Sequence, residues 1–411
     1  MYTLYNIGIT IAGFVLKIIA LFNKKISLFV KGRKGVLKQL QQEIKPSDKV
    51  IWMHCASLGE FEQGRPIIEE LKDAYPAYKL VLTFYSPSGY EVRKDYQNAD
   101  AITYLPLDTN SKVQAFLDIV HPDMAIFVKY EFWPNMLRAL KQRSIHTILV
   151  SGIFRKEQSF FKKQSWMRKA LYSFDHFFVQ NEISKSLLEG IEFTNVTLAG
   201  DTRFDRVAQI LEQDNSLEFL DKFKGSSTLI VVGSSWEPEE KMVANFLKQH
   251  HNKDVKALIA PHNINSDKIK QLKELFSDGV VLYSTRENES LEKAKVFIAD
   301  TIGILTKIYS YADIAIVGGA FETGLHNILE PATFGVPVLI GPHYEKFQEA
   351  IDLVGLKGAY SVENEKVFLT QLNSLIEDRS LRLETGKIAG AFVQENTGAT
   401  EMILKYIKSY L

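Results

Sequence analysis

The sequence predicts an α/β protein of two doubly wound domains facing a central cleft, preceded by a membrane-associated helix. Three observations carry that reading. Apolar runs of strand length recur in two series, with helical segments between the runs and one polar stretch between the series. A glycine-rich segment at 318–335, Gly-Gly-Ala-Phe-Glu-Thr-Gly-Leu-His-Asn-Ile-Leu-Glu-Pro-Ala-Thr-Phe-Gly, directly follows one run. The N-terminus is almost wholly apolar and is followed by lysines.

In chain order, the first element is the apolar segment Tyr2 to Phe22, interrupted by Asn6, Thr10 and Lys17. Lys24, Lys25, Lys31, Arg33, Lys34 and Lys38 follow it, and no acid occurs before Glu43. A cleaved signal peptide carries its charge ahead of the apolar run; here the order is reversed. The run is about long enough for a hydrocarbon core of ~30 Å, and Lys17 also suits a partly embedded helix. The basic stretch is expected on the cytoplasmic side, against anionic lipid. A buried docking helix with a solvated charge run is the alternative, and the pattern favours membrane attachment. Residues 1–44 are therefore read as anchor and juxtamembrane segment.

Residues 45–205 form the first expected domain, with strands at Val50–Cys55, Leu80–Phe84, Ile102–Leu105, Met124–Val128, Thr147–Val150, Phe177–Val179 and Val196–Ala199. Helical segments lie between them, among them Phe61–Tyr75, Lys112–Val120 and Trp133–Arg143. The polar stretch 206–225 reads as a linker. The second domain, 226–383, carries strands at Thr228–Val232, Ala257–Ala260, Val280–Tyr283, Val296–Ile298, Ile314–Val317 and Pro337–Ile340. The last segment, 384–411, reads as helix packing back across the domains. Strands followed by crossover helices make parallel sheets, whose ligands bind at the strand carboxyl ends.

Composition narrows the function. A chain of 411 residues is long for one core, and 46% hydrophobic with 24% charged residues is the balance of a globular protein. Formal net charge is zero, so no bulk field favours nucleic acid. The single cysteine, Cys55, forms no intramolecular disulfide and fits a reducing compartment. No CxxC, HExxH or DxD spacing suggests a metal, and neither GxGxxG nor GxxxxGK[ST] is present, which argues against a simple dehydrogenase or a P-loop ATPase.

Candidate chemistry sits where strands end. In 318–335 a helix is expected to open near His326, offering backbone amides to a phosphate, while Glu330 lies one turn in from Asn327, placed to bind a ribose diol. An ordinary βα turn is the competing reading; Asn327, Glu330 and Pro331 favour a nucleotide site. Glu60 ends the run His54-Cys55-Ala56-Ser57-Leu58-Gly59-Glu60. Gly59 permits a tight turn there, and Glu60 is either a base facing the cleft or a first-turn acid stabilised by the helix dipole. Glu131, in Tyr130-Glu131-Phe132-Trp133-Pro134-Asn135, either binds an acceptor or is a solvated loop acid. Arg203 either binds an anionic group or makes an ion pair between domains. Ser234 and Ser235, before Glu237, are hydroxyl donors or helix caps. His262 touches phosphate or base, or is structural. Asp300-Thr301-Ile302-Gly303 offers amides or a simple cap, and Gly341-Pro342-His343 places His343 beside the 318–335 segment.

At these residues the chain resembles the Kdo (3-deoxy-D-manno-octulosonic acid) transferases of lipid A and lipopolysaccharide biosynthesis, membrane-associated glycosyltransferases of the GT-B fold with two Rossmann-like domains. The resemblance spans essentially the whole chain. Trp52, His54, Ser57, Gly59 and Glu60 meet one family pattern, and Glu131, Trp133, Pro134 and Asn135 a second. Gly318, Gly319, His326, Asn327, Leu329, Glu330, Pro331, Ala332, Gly335, Pro337, Val338, Gly341, Pro342 and His343 meet the third. There are departures. Cys55 replaces an alanine, Thr323-Gly324-Leu325 stands where a glycine pair precedes His-Asn, and the Asn-Ala-Arg-Leu-Ser segment is not reproduced around Ser151 to Arg155. Pro261 stands where a basic residue precedes His262.

The resemblance implies Glu60 as general base, and Ser57, Gly59, Glu131 and Arg203 as acceptor-binding. It implies CMP-Kdo as donor, held by Ser234, Glu237, His262, Gly303, Gly319, His326, Asn327, Glu330 and His343. The implied reaction is inverting transfer of Kdo to a glucosamine hydroxyl of a lipid A precursor (lipid IVA), with no metal or cofactor, at the cytoplasmic face of the bacterial inner membrane. The implied partners are that precursor and an anionic phospholipid surface, without nucleic acid. Two rivals share the architecture. A nucleotide-sugar epimerase needs no lipid anchor, and a non-catalytic binding module needs no Glu60.

Overall fold

The computed structural model describes residues 2–163, 165–251, 253–276, 279–322 and 324–411. The chain folds into two compact units, Met1–Arg206 with Thr397–Leu411, and Val207–Asn396. Each is built on a seven-stranded sheet in which every pairing is parallel.

The first sheet contains β1 (Lys49–Cys55), β2 (Tyr78–Phe84), β3 (Ala101–Tyr104), β4 (Met124–Val128), β5 (His146–Gly152), β6 (His176–Val179) and β7 (Val196–Leu198), in the order 3-2-1-4-5-6-7. The apolar runs are nearly continuous because both faces are covered. Along β1, Val50 and Trp52 enter one core layer, and Ile51, Met53 and Cys55 enter the other. Trp52 is fully buried against Phe116 and Phe127, at ring separations of 5.0 and 5.2 Å, and its indole N–H donates to Thr83 Oγ1 at 2.9 Å. Gly64 brings the helix Leu58–Ala74 down onto β1, since a Cβ there would lie 2.8 Å from Met53 Sδ. The helix Ala399–Tyr410 belongs to this unit. The Asp205 carboxylate accepts from the backbone N–H of Gly398 and Thr400, at 2.6 and 2.8 Å, and Ile403 and Ile407 are buried in the same layer as Met53.

The N-terminal segment forms the helices Tyr2–Ile19, Lys24–Gly32 and Val36–Glu43. Lys24, Lys25, Lys31, Lys34 and Lys38 are exposed. Arg33 departs from the basic stretch expected to face anionic lipid. Its guanidinium donates to the carbonyls of Leu105, Phe29 and Tyr85 and lies 3.6 Å from the Phe29 ring, and burial lowers its pKa to about 10.

The second sheet contains β8 (Thr228–Ser235), β9 (Val255–Pro261), β10 (Val280–Leu282), β11 (Val296–Ile298), β12 (Ile314–Val317), β13 (Val338–Ile340) and β14 (Ala359–Ser361), in the order 10-11-9-8-12-13-14. The edge strand β14 is absent from the sequence expectations. It is three residues long and half-buried beyond Ala359, so it lacks the apolar run of a central strand. The stretch read as a linker holds the helix Glu218–Lys224, which buries Leu220 and Phe223 in the second unit's own core. The expected last helix is two: Arg379–Glu395 in the second unit, then Ala399–Tyr410 in the first.

Candidate active site

In the first sheet the strand order reverses between β1 and β4, where a doubly wound sheet opens a crevice at its carboxyl edge. Ser57 and Glu60 follow β1, and Glu131 follows β4. Glu60 is in the first turn of the helix Leu58–Ala74, is 5% exposed, and accepts a hydrogen bond from Ser57 Oγ at 2.5 Å. It is thus both a first-turn acid and a carboxylate at the strand's end. Gly59 makes no tight turn, contrary to expectation. It is helical, and a Cβ there would meet only Ser57 Oγ, at 3.9 Å. What its missing side chain provides is open space beside the Ser57–Glu60 pair.

Glu131 is 9% exposed rather than a solvated loop acid. Its Oε2 accepts from Trp133 Nε1 at 2.9 Å and lies 3.6 Å from His54 Nε2. His54 is fully buried, its Nδ1 lies 2.9 Å from Thr83 Oγ1, and its Nε2 has no hydrogen-bond partner. Sequence reasoning gave His54 no role beyond its motif. Glu60 and Glu131 act on the same neighbours: burial first, then both carboxylates, push the Cys55 thiol and the Tyr130 phenol up. Arg155, exposed after β5, places its positive charge near Tyr130 as well. Lys129, between β4 and these groups, has φ of 72°, a strained conformation of the kind that gathers at functional sites.

Arg203 grips Asp201 of its own unit, with Nε and Nη2 donating to Oδ2 at 2.9 and 2.7 Å, and Gln63 Nε2 donates to the same oxygen. Asn135, in the Glu131 motif, serves the fold: its Nδ2 donates to Asn6 Oδ1, and its N–H to Asp108.

In the second sheet the reversal falls between β8 and β12. Ser234, the residue before the last of β8, where the register to β9 shifts, has φ of 49°, and its carbonyl oxygen would lie 2.3 Å from a Cβ on Gly318. Only glycine fits at 318. Gly319 has φ of 99°, and its N–H donates to Glu239 Oε1 at 2.9 Å. That amide therefore holds a protein carboxylate, whose own pKa burial raises. Glu239 was not singled out in the sequence; an acid three residues after Trp236 at a helix start is the pattern that finds it.

The helix expected at His326 begins later, at Leu329, and ends at Thr333. The reason is local. His326 N–H bonds back to Gly318 O and Gly324 N–H to Gly319 O, closing a loop, and Asn327 Oδ1 takes the N–H of Leu329. Thr323 lies outside the described residues, so the departure there has no structural account. Glu330 accepts from Asn327 Nδ2 at 3.0 Å and Thr306 Oγ1 at 2.9 Å, which fixes the carboxylate at the helix start.

Three rings gather at this edge. Trp236 stacks on His262 at 4.7 Å, His262 packs on His326 at 4.7 Å, and the Trp236 N–H donates to His326 Nε2 at 3.3 Å. Trp236 had no sequence signal. Burial, and then the neighbouring His262, hold His326 below the ordinary imidazole range. Between that depressed value and about 6.5 the unfolded chain takes a proton that the native chain refuses, so stability is full above the window and falls as pH drops through it. The expected result is a fall in Tm as pH drops below about 6.5 that is smaller in His326→Gln.

Other expected donor residues are less engaged. Glu237 is exposed and pairs with Lys241. Gly303 is exposed, with φ of 94° and open space around it. His343 is exposed, but its N–H donates to Ala320 O at 2.9 Å, and Gly341 packs against Ala320 so closely that a Cβ would lie 2.7 Å from its carbonyl carbon.

Comparison with solved structures gives the class. The UDP-GlcNAc 2-epimerase from Neisseria meningitidis bound to UDP-GlcNAc superposes with a TM-score of 0.63 at 15% identity, over 88% of this chain and all of the other. At that identity the match fixes the fold: a two-domain α/β protein of the GT-B type. Sequence comparison adds named relatives. Residues 30–206 match the family described as 3-deoxy-D-manno-octulosonic-acid transferase (kdotransferase). The 3-deoxy-D-manno-octulosonic acid transferase of Aquifex aeolicus is 29% identical over 88% of this chain and 97% of its own length. That of Haemophilus influenzae is 26% identical over 89% and 88%. By these matches the chain is similar, over 88–89% of its length, to the Kdo transferases, which are glycosyltransferases.

Proposed function

We propose that the protein transfers Kdo from CMP-Kdo to a glucosamine hydroxyl of lipid IVA, inverting the anomeric carbon, with Glu60 as general base. The observation that carries the reading is the position of Glu60: a carboxylate at the carboxyl edge of β1, at the strand-order reversal, bonded to Ser57 and sharing neighbours with Glu131. The acceptor oxygen attacks the anomeric carbon, the bond to the CMP phosphate breaks, and the hydroxyl proton passes to Glu60. A single displacement gives inversion. Glu131, held by Trp133, orients the acceptor, with Ser57, Gly59 and Arg203 around it.

The donor is assigned to the edge of the second sheet. Glu330, braced by Asn327 and Thr306, takes the ribose hydroxyls. His262, His326, Gly319 and Ser234 shape the pocket for CMP, with Glu237, Gly303 and His343 at its margin. Because the helix at Leu329 is one short turn, the departing phosphate is assigned to hydrogen-bond donors of the 318–327 loop rather than to a helix dipole. No metal or other cofactor enters the scheme. The helix Tyr2–Ile19, long and apolar enough to cross a membrane, is read as attachment to the bacterial inner membrane on its cytoplasmic face. There the exposed lysines 24, 25, 31, 34 and 38 meet anionic phospholipid and the acceptor keeps its acyl chains in the bilayer.

The test is transfer itself: purified protein, CMP-Kdo generated in place and tetraacyl lipid A precursor, with mass spectrometry of the lipid. A Kdo increment is expected. With verified donor and folded protein, an unchanged lipid removes this acceptor from the proposal.

A further inference from the structure

The apolar N-terminal helix is docked along its length. Tyr2, Tyr5, Asn6, Ile9, Gly13, Leu16 and Ala20 are half-buried and spaced by threes and fours, so they form one stripe. That stripe meets the body of the first unit at several points. Tyr5 donates to Asp108 Oδ2 at 2.8 Å, Asn135 donates to Asn6 Oδ1 at 2.8 Å, and Tyr2 and Tyr5 pack on Trp166 at 5.5 and 5.7 Å. Gly13 lies so near Leu107 that a Cβ would come within 3.0 Å of Cδ1. The next helix is pinned in turn by Arg33.

The opposite stripe is apolar and bare: Leu4, Ile7, Ile11, Phe14 and Ile18 are 68, 52, 58, 65 and 47% exposed, and Leu21 and Phe22 extend it. Lys17 flanks the stripe, and Lys112 is near enough to feel its charge. A helix crossing a bilayer must leave the protein body over ~30 Å and be wetted by lipid on every side. This one cannot do so while its polar stripe stays bonded to Asp108 and Asn135, both nearly fully buried in the body.

We infer that the helix Tyr2–Ile19 lies in the plane of the membrane, with the stripe from Leu4 to Ile18 sunk into the acyl boundary, the flanking lysines on anionic headgroups and the first unit riding on top. The inference rests on the membrane attachment proposed above and specifies its geometry.

Depth measurement tests it. Full-length Leu4→Cys, Ile11→Cys and Ile18→Cys proteins carry an environment-sensitive fluorophore on vesicles of phosphatidylethanolamine and phosphatidylglycerol; the native Cys55 is buried. Quenchers are placed at the headgroup or near the acyl-chain end. All three labels should report the same shallow depth, with quenching ratios within about twofold. A deep Ile11 label between two shallow ones in opposite leaflets means a crossing helix and overturns the inference. Folded protein that ignores vesicles overturns the attachment itself. In a second arm, Ile11→Glu with Phe14→Glu should weaken vesicle binding by about tenfold or more at unchanged urea midpoint. Undiminished binding assigns attachment to the lysines alone and removes the stripe from it.

Discussion

Glu60→Gln lowers kcat for Kdo transfer by about 10²–10⁴-fold, the range that a positioned general base supplies, while CMP binding is retained. Glutamine keeps the size of the side chain and an oxygen able to accept from Ser57 Oγ, so the local fold survives. What disappears is the capacity to take a proton. The loss should fall on kcat and on kcat/KM alike, since proton removal belongs to the transition state. Ser57→Ala, which leaves the carboxylate and removes only its hydrogen bond, should fall well short of that. Equal activity in wild type and Glu60→Gln would keep the transferase but take the base away from Glu60, leaving Glu131 as the carboxylate next to it.

Arg203→Leu is expected to destabilise the protein by about 3 kcal/mol, read as a shift of the urea midpoint at unchanged slope. The figure is the low end for breaking a buried pair, because the Arg203 side chain is 30% exposed while that of Asp201 is 7%. Truncation leaves the Asp201 carboxylate with Gln63 and one backbone N–H, inside the protein. Burial pushes the Asp201 pKa up, but the Arg203 charge and the hydrogen bonds outweigh it and hold the carboxyl below its ordinary range. The pair's contribution is therefore complete above about pH 4 and is lost as pH falls through the depressed value. Arg203→Leu should flatten that acid limb. Replacing both partners with apolar residues should restore part of the stability, which separates the pair's structural use from any use in acceptor binding.

The central strands were legible because a parallel sheet covered on both faces demands continuous apolar runs, and β1, β4, β8 and β12 have them. Their ends then located Glu60, Glu131, Gly318 and His262, since the carboxyl edge of a doubly wound sheet is where its loops gather. What escaped was decided by contacts distant in sequence. Asp201, the partner of Arg203, is also held by Gln63, far back in the chain. The helix at Leu329 started late because Gly318 and Gly319 took back the amides of His326 and Gly324. Trp236 joined His262 and His326 through three separate segments, and no local pattern announces such a meeting. Arg33 reads as one of a basic run facing anionic lipid, and only the carbonyls of Leu105 and Tyr85 reveal otherwise.

The helix Ala399–Tyr410 fills the first unit's core from the far end of the chain, and Asp205 waits to cap it. During synthesis the entire second unit emerges before that piece does. The first sheet must therefore remain on or near the ribosome with His146, His176 and Phe178, which pack on Tyr406, incompletely covered while roughly 190 residues are added, about 10–40 s at ordinary elongation rates. Nascent chains stalled before residue 399 should be open to protease in the first unit even when the second is already closed.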